Sequence, residues 1–129
     1  MEGRPFEVRA SRDYAYRRLV VWQKAMQLVS LVYAEVARFP ADEKFALADQ
    51  LKRAIVSVPS NIAEGNGRAT NKDYAHFLSM ARGSLYEAMT QLEIARNLGY
   101  VSINPEIETL EVELRRMLTA LIKRYIPLN

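Results

Sequence analysis

The sequence contains no cysteine, and His76 is the single histidine in its 129 residues. Without the cysteine sulfur the chain cannot form a disulfide or a thiolate metal site. One histidine leaves little for a zinc site and nothing for Cys–His catalysis. These absences argue against most enzyme classes, and we expect no cofactor, no metal and no catalytic residue.

Long apolar runs and a strong charge of one sign are also missing. The longest apolar segments, such as Leu19 to Trp22, are far shorter than the roughly 20 residues of a membrane span. The first ten residues carry charges throughout and lack the apolar stretch of a signal peptide. The formal charge of +3 is only mildly basic. We therefore expect a cytoplasmic protein with no membrane partner.

The chain that remains has the composition of one globular domain, with 50% hydrophobic and 26% charged residues. Residues 1–16 are charged and poor in large aliphatic side chains, and we interpret them as a flexible arm. Residues 17–129 carry apolar side chains at three- and four-residue spacing, which is typical of amphipathic helices. No segment alternates with a period of two, so the sequence predicts an all-α domain.

Helices 1 and 2 are predicted from this spacing and from local stop signals. Helix 1 is expected over about residues 17–38, because the proline of Phe39-Pro40 disfavours helical geometry in the residue before it. Helix 2 is expected to begin near Asp42, since acidic side chains favour a helix N-terminus. Its apolar series starts at Phe45, and Pro59 within that series predicts a kink at residues 56–59.

The remaining helix ends are predicted from capping signals. Gly65-Asn66-Gly67 is expected to end helix 2, with one glycine at positive φ. Helix 3 starts after Thr70 or Asn71, where Thr70 and Asp73 form a capping pattern, and stops at Asn97-Leu98-Gly99. Asn104-Pro105 begins helix 4 as an N-cap followed by proline. Four helices with short connections predict an antiparallel up-down-up-down four-helix bundle with a Pro-kinked second helix.

Helix 1 has more apolar surface than one bundle core requires. Beside the stripe that begins at Val21 runs a second stripe on the adjacent face. Its members are Trp22, Met26, Val29, Tyr33 and Val36. Monomers seldom expose such a patch, so we expect a subunit interface and a homo-oligomer.

One polar face of helix 2 is the first candidate site. At helical spacing it presents Arg53, Ser57, Ser60, Asn61 and Glu64, with Glu87 of helix 3 as a further partner. We interpret these residues as a structural network that fixes the kink. In it, the arginine and glutamate form an ion pair, and Ser or Asn binds the backbone groups that the proline leaves free. A ligand or nucleic-acid contact at the kink is the functional alternative.

A modest basic patch is the second candidate site. Its proposed nucleic-acid contacts are Lys52, Arg53, Arg68 and Lys72, with the arginines of the N-terminal arm as secondary candidates. The same charges are also explained by solubility alone. We interpret His76 as a surface or interface histidine, since its helical neighbours do not form a catalytic triad.

Three segments carry a resemblance to a known family. They read VVWQKAM at residues 20–26, RAIVSVPSNIAEG at 53–65 and FLSMARGSLYE at 77–87. Over about residues 17–125 the chain resembles the four-helix-bundle proteins encoded by intervening sequences in bacterial large-subunit ribosomal RNA. That family is similar to the accessory variability protein of diversity-generating retroelements.

The resemblance implies a small helical protein that assembles into a ring-like homopentamer. The retroelement relative is a basic pentameric barrel that binds nucleic acid and a reverse transcriptase. No catalytic residues are implied for this chain. The leading hypothesis is thus a non-enzymatic oligomeric scaffold or adaptor that binds RNA or DNA through the basic patch. The alternatives are a pure protein-interaction module that docks a neighbouring enzyme, or a small-molecule binder at the helix-2 kink.

Overall fold

A computed structural model describes residues 14–127, and within them the chain forms four α-helices and no strand. The helices are α1 (Val20–Val36), α2 (Leu47–Asn66), α3 (Asn71–Asn97) and α4 (Pro105–Tyr125). The predicted all-α class is confirmed. Residues 1–13 of the predicted arm lie outside the described residues. No helix of the described part combines the length and the apolarity that crossing a membrane requires.

The four helices share one apolar core. Each packs against its neighbours in the chain, and α1 also packs against α4, so that the contacts close a ring of four helices as in a bundle. The largest fully buried side chains include Leu28, Leu51, Ile55, Ile62, Leu78, Leu85, Leu92, Ile107, Leu114 and Leu118. Every helix contributes to this list, because each carries its apolar residues at the spacing of one helical face.

The chain enters the bundle through a short 3-10 helix, Ala15–Arg18, which precedes α1. The extended backbone of Leu19 separates the two helices, so α1 begins later than the predicted residue 17. The ring of Tyr16 meets the edge of Trp22 at 5.2 Å between centroids, and the guanidinium of Arg17 lies 5.9 Å from the same ring. The last residues before α1 are therefore packed against it.

The prediction that helix 2 begins near Asp42 is wrong. Ala41–Glu43 forms a separate 3-10 helix, and α2 begins at Leu47. The carboxylate of Glu43 accepts a hydrogen bond from the Tyr100 hydroxyl at 2.6 Å and a longer one from the Leu47 N–H at 3.4 Å. Because the Glu43 carboxylate is bound to Tyr100, a residue distant in the chain, it holds the segment Ala41–Glu43 in a turn ahead of α2. Phe45 follows it there with 88% exposure, so the expectation that it starts the apolar series also fails.

The end of α2 differs from the prediction in its glycines. Gly67 closes the helix with a φ of −85°, and the positive φ expected within Gly65-Asn66-Gly67 is absent there. Gly65 is instead buried inside the helix, where α3 approaches closely. A Cβ at that position would lie 2.6 Å from the Cβ of Phe77, so the missing side chain is what allows the contact.

The predicted capping signals of α3 and α4 are confirmed. The Thr70 hydroxyl accepts from the Asp73 N–H at 3.1 Å, and the side-chain Oδ1 of Asn104 accepts from the Glu106 N–H at 2.9 Å. At the end of α3, Gly99 adopts a φ of 79°. Its N–H and that of the next residue donate back to the carbonyls of Arg96 and Ala95, which is the Schellman arrangement.

Candidate functional site

The predicted polar network does not form as one unit. Arg53 Nε pairs with Asp49 at 3.0 Å, and Glu64 pairs with Arg68 just beyond the end of α2 at 3.0 Å, so the partners of each pair are four residues apart in the chain. The expected pair between Arg53 and Glu64 is not made. The two residues share a helix face, but eleven residues separate them by about 16 Å along the axis. Both ion pairs that form instead are exposed and contribute little to stability.

A smaller hydrogen-bonded cluster joins α2 to α3. The amide of Asn61 donates to the Ser57 hydroxyl at 3.0 Å and to its carbonyl at 2.9 Å. The hydroxyl of Ser84, on α3, donates to the hydroxyl oxygen of Ser57 at 3.1 Å. Ser60 donates to the Val56 carbonyl at 2.8 Å and faces solvent. Pro59 leaves the carbonyl of residue 55 without its helical N–H partner. None of these bonds reaches that carbonyl, so the expectation that Ser or Asn binds it is wrong.

Two polar residues at this interface, Ser84 and Gln91, are not among the site residues predicted from the sequence. Gln91 is almost fully buried, and its amide donates weakly to Gln50 at 3.5 Å and to Glu87 at 3.4 Å. Glu87 therefore contacts Gln91 of its own helix, and within residues 14–127 it forms no hydrogen bond with the serine cluster. A signal was present in the sequence: Ser84 and Gln91 follow Phe77 at intervals of seven, so all three lie on the helix face that meets α2.

The four proposed nucleic-acid contacts lie in two groups. Lys52 and Arg53 belong to the second turn of α2, where the Lys52 ammonium lies 5.4 Å from the ring of Tyr33. Arg68 and Lys72 flank the beginning of α3, beyond the end of α2, which lies about 20 Å from Arg53 along the axis of that helix. The Arg68 guanidinium lies over the ring of Phe77 at 4.7 Å. The fold therefore offers two small basic groups and does not join them into one patch.

His76 is exposed on α3 and lies beside a depression of about 420 Å³. Lys72 and Ser79 share this edge with it, one helical turn to either side. Among residues 14–127 no group of three or more histidine, aspartate and glutamate side chains is placed to hold a metal ion.

An apolar groove lies between α1 and α2. It has a volume of about 300 Å³, and its lining includes Tyr16, Trp22, Met26, Val29, Val56 and Pro59. Met26 and Val56 are 42% and 40% exposed, although their side chains are apolar. Trp22, Met26 and Val29 of the second apolar stripe predicted for helix 1 line this groove, whereas Tyr33 lies outside it and Val36 is buried in the core.

A second apolar surface, the α3 face, is formed by Met80, Gly83, Tyr86 and Ile94. The three large side chains are each more than two-fifths exposed. Gly83 lies between them in the middle of the longest helix, and a Cβ built on it would meet nothing within 4 Å. A mid-helix glycine costs roughly 0.5–1 kcal/mol relative to alanine, and no contact of the described chain offsets that cost.

Two polar contacts hold the other end of the bundle. The buried carboxylate of Glu35 accepts from the Asn104 amide at 3.1 Å, which ties the end of α1 to the N-cap of α4. At the same end, the hydrogen bond to Glu43 raises the pKa of the Tyr100 hydroxyl. Glu35 continues the seven-residue series of Val21 and Leu28, which is the one trace it leaves in the sequence.

These features define a four-helix protein whose notable surfaces are two apolar faces and several small basic groups. The family described as 23S rRNA-intervening sequence protein matches residues 17–123. The chain belongs to this family, so the resemblance found in its sequence is confirmed. A search of curated proteins gives no match.

Proposed function

We propose that the protein is a non-enzymatic, homo-oligomeric scaffold built through the α1–α2 groove. The observation that carries this proposal is the exposure of apolar side chains in that groove, above all Met26 and Val56. A second copy that covers the groove would remove this surface from water and stabilise the assembly. In the cytoplasm, such a scaffold would present the outer surfaces of several copies to a partner at once.

The α3 face supports a closed ring as the form of the assembly. A ring of more than two subunits needs two different surfaces on each chain, because each subunit contacts one neighbour with each surface. The groove and the α3 face lie on different helices and are both apolar. Open space above Gly83 fits the close approach of a neighbouring helix. The homopentamer implied by the family resemblance is a ring of this kind.

Charge substitution in the groove tests the assembly. Met26→Glu places a carboxylate on an exposed position, so the monomer should fold while association is lost. Ala34→Glu adds the same charge at another exposed position of α1 that does not line the groove. Native mass spectrometry at micromolar concentration should give pentamers for the wild type and for Ala34→Glu, and monomers for Met26→Glu. A monomeric wild type would refute the proposal.

The direction of the helices and the shape of α2 belong to the same proposal. We take the helices to run up-down-up-down in antiparallel order, which the position of Trp22, near the start of α1, beside Pro59, near the end of α2, supports. α2 is taken to bend at residues 56–59, because Pro59 donates no hydrogen bond to the carbonyl of residue 55. Crystal structures of the wild type and Pro59→Ala should differ in the bend of this helix by about 20°.

The scaffold is further proposed to bind RNA or DNA through Lys52, Arg53, Arg68 and Lys72. The side chain of Arg53 is 79% exposed, and Lys72 is exposed as well, so both can reach a phosphate. In a ring the two basic groups of each subunit are repeated around the assembly. Multivalent contact of this kind raises affinity without any single strong site.

Salt dependence tests this second part. Fluorescence anisotropy with a labelled RNA and a labelled DNA duplex should give affinities that fall steeply with salt, because bound cations release counterions from the phosphates. The double variant Lys52→Ala/Arg53→Ala should lower the salt slope by about 1 to 2. Lys24→Ala/Arg38→Ala removes the same charge elsewhere and should leave the slope unchanged. An assembled ring that binds neither nucleic acid would instead be a pure protein-interaction module.

A further inference from the structure

A depression at one end of the bundle has the chemistry of an anion site. It lies between the beginning of α3 and the end of α4 and has a volume of about 420 Å³. Lys72, His76 and Ser79 line one side at spacings of four and three residues, so they lie on one helix face. Ile122 and Ile126 of α4 form an apolar wall on the other side.

The charges around this depression are almost all positive. Between Arg115 and Pro127, α4 and the residues after it contain four basic side chains and no acidic one. Between Asn71 and Tyr86 on α3, Asp73 is the one acidic residue. Within the described part of the chain, neither Lys72 nor Lys123 forms an ion pair with a carboxylate. Of these basic side chains, Arg115 is paired with Glu111 at 2.9 Å, whereas no carboxylate of residues 14–127 neutralises the charges of Lys72 and Lys123.

Arg82 extends this positive surface along the groove between α3 and α4. It lies one turn beyond Ser79 and is half-buried, and its Nη1 donates to the Thr119 hydroxyl at 3.3 Å. A guanidinium has five N–H donors, so one such bond leaves most of them available. The carboxylates that pair with α3 lie at its other end, where Glu93 and Glu108 flank Arg96.

From this arrangement we propose that the depression binds a phosphate group, either free or on a nucleotide chain. Lys72 supplies the nearest positive charge, while His76 and Ser79 donate hydrogen bonds to the phosphate oxygens. Ile122 and Ile126 form the opposite wall and place no carboxylate against a bound phosphate. This site differs from the proposed nucleic-acid contacts of α2, with which it shares only Lys72.

The uniqueness of His76 makes the site directly observable. Its imidazole signals in a proton NMR spectrum come from the one histidine of the chain and report on the depression itself. Inorganic phosphate, added at constant pH and at constant ionic strength against chloride, should move these signals along a saturating curve. Lys72→Ala should weaken binding roughly tenfold, the scale of a lost charge-assisted hydrogen bond. Ser79→Ala should weaken it less.

Further arms of the experiment separate the phosphate source and the proposed function. A trinucleotide with a 5′-phosphate that binds more tightly than its unphosphorylated form assigns the site to a terminal or free phosphate, and equal binding assigns it to the backbone. Met26→Glu and Arg53→Ala should both retain phosphate binding, because neither residue lines the depression. A His76 signal that does not respond to any of these probes, or a Lys72→Ala variant that binds as the wild type, would overturn the proposal. Neither result bears on assembly through the groove.

Discussion

Gly65 is the residue at which α2 and α3 come closest, and its substitution should be costly. In Gly65→Ala the new Cβ would lie 2.6 Å from the Cβ of Phe77 and 3.1 Å from a ring carbon of Tyr74. Both neighbours are held by their own helix, so the two helices must separate. Overpacking of this kind costs about 1–3 kcal/mol. Urea denaturation followed by circular dichroism should show that loss in the free energy of unfolding.

Gly83→Ala is the matched control, and it separates folding from assembly. The added methyl group meets no atom of residues 14–127 within 4 Å, and alanine favours a helix more than glycine does. A monomeric background, such as Met26→Glu, should gain up to about 1 kcal/mol. The ring should weaken, however, if a neighbouring helix approaches at this position. A Gly83→Ala ring as stable as the wild-type ring would argue against contact there.

Two tyrosines predict a loss of stability at high pH. Burial raises the pKa of Tyr74, although a hydrogen bond with Asn66 acts in the opposite direction, and the hydrogen bond to Glu43 raises the pKa of Tyr100. A raised pKa in the folded state means that folding favours the protonated phenol. This stabilisation is complete below the unfolded pKa of 10.0 and is lost as the pH rises through the folded values.

The control for this prediction is a chain without the two phenols. Urea denaturation at about pH 8 and above pH 10 should show a smaller alkaline loss in Tyr74→Phe/Tyr100→Phe than in the wild type, because lysine deprotonation affects both chains equally. Absorbance near 295 nm should also show two phenols that ionise late. An identical alkaline loss in both chains would exclude the tyrosines as its source.

The N-cap residue of α4, Asn104, makes side-chain hydrogen bonds both within its own helix end and to α1. The side-chain oxygen of Asn104 caps the helix, and its side-chain NH2 group donates a hydrogen bond to the buried Glu35. Asn104→Asp keeps the cap, because aspartate is as good an N-cap, but it replaces the donor with a second carboxylate. The free energy of unfolding should therefore fall by more than the roughly 1 kcal/mol expected for Thr70→Ala, which removes a cap alone.

Rescue distinguishes this explanation from a general weakness of the helix end. Glu35→Gln removes the buried charge, so the double variant Glu35→Gln/Asn104→Asp should regain most of the stability lost in Asn104→Asp. Thermal denaturation of the four chains at neutral pH forms a double-mutant cycle. Additive losses would show that the two side chains are not coupled.

The helix ends also show which parts of the fold were accessible from sequence. Thr70 and Asn104 were predicted correctly because a cap depends on residues two or three positions away. The start of α2 was not, because Glu43 is held by Tyr100, which lies 57 residues further along the chain. The spacing on α2 predicts that Arg53 and Glu64 share a face, but eleven residues of helical rise place them too far apart to pair. Ser84, on another helix, could be assigned only once α2 and α3 were packed together.

The whole molecule combines a closed core with surfaces that residues 14–127 leave uncovered. The apolar side chains of the core come from all four helices, while those of the α1–α2 groove and the α3 face remain exposed. Basic side chains are concentrated at the end of the bundle where α3 begins and α4 ends. In the proposed ring, a subunit with two unlike apolar faces and one basic end would place its basic groups in a repeated pattern.

Mixing two interface variants tests whether the groove and the α3 face bind each other. Met26→Glu disables the groove and leaves the α3 face intact, whereas Met80→Glu does the reverse, since both methionines are exposed. Each variant alone should be monomeric, but an equimolar mixture should form a heterodimer through the one intact pair of surfaces. Native mass spectrometry with one variant labelled by nitrogen-15 identifies that species. If the groove instead binds a second groove, Met80→Glu assembles as the wild type does, and the mixture contains no heterodimer.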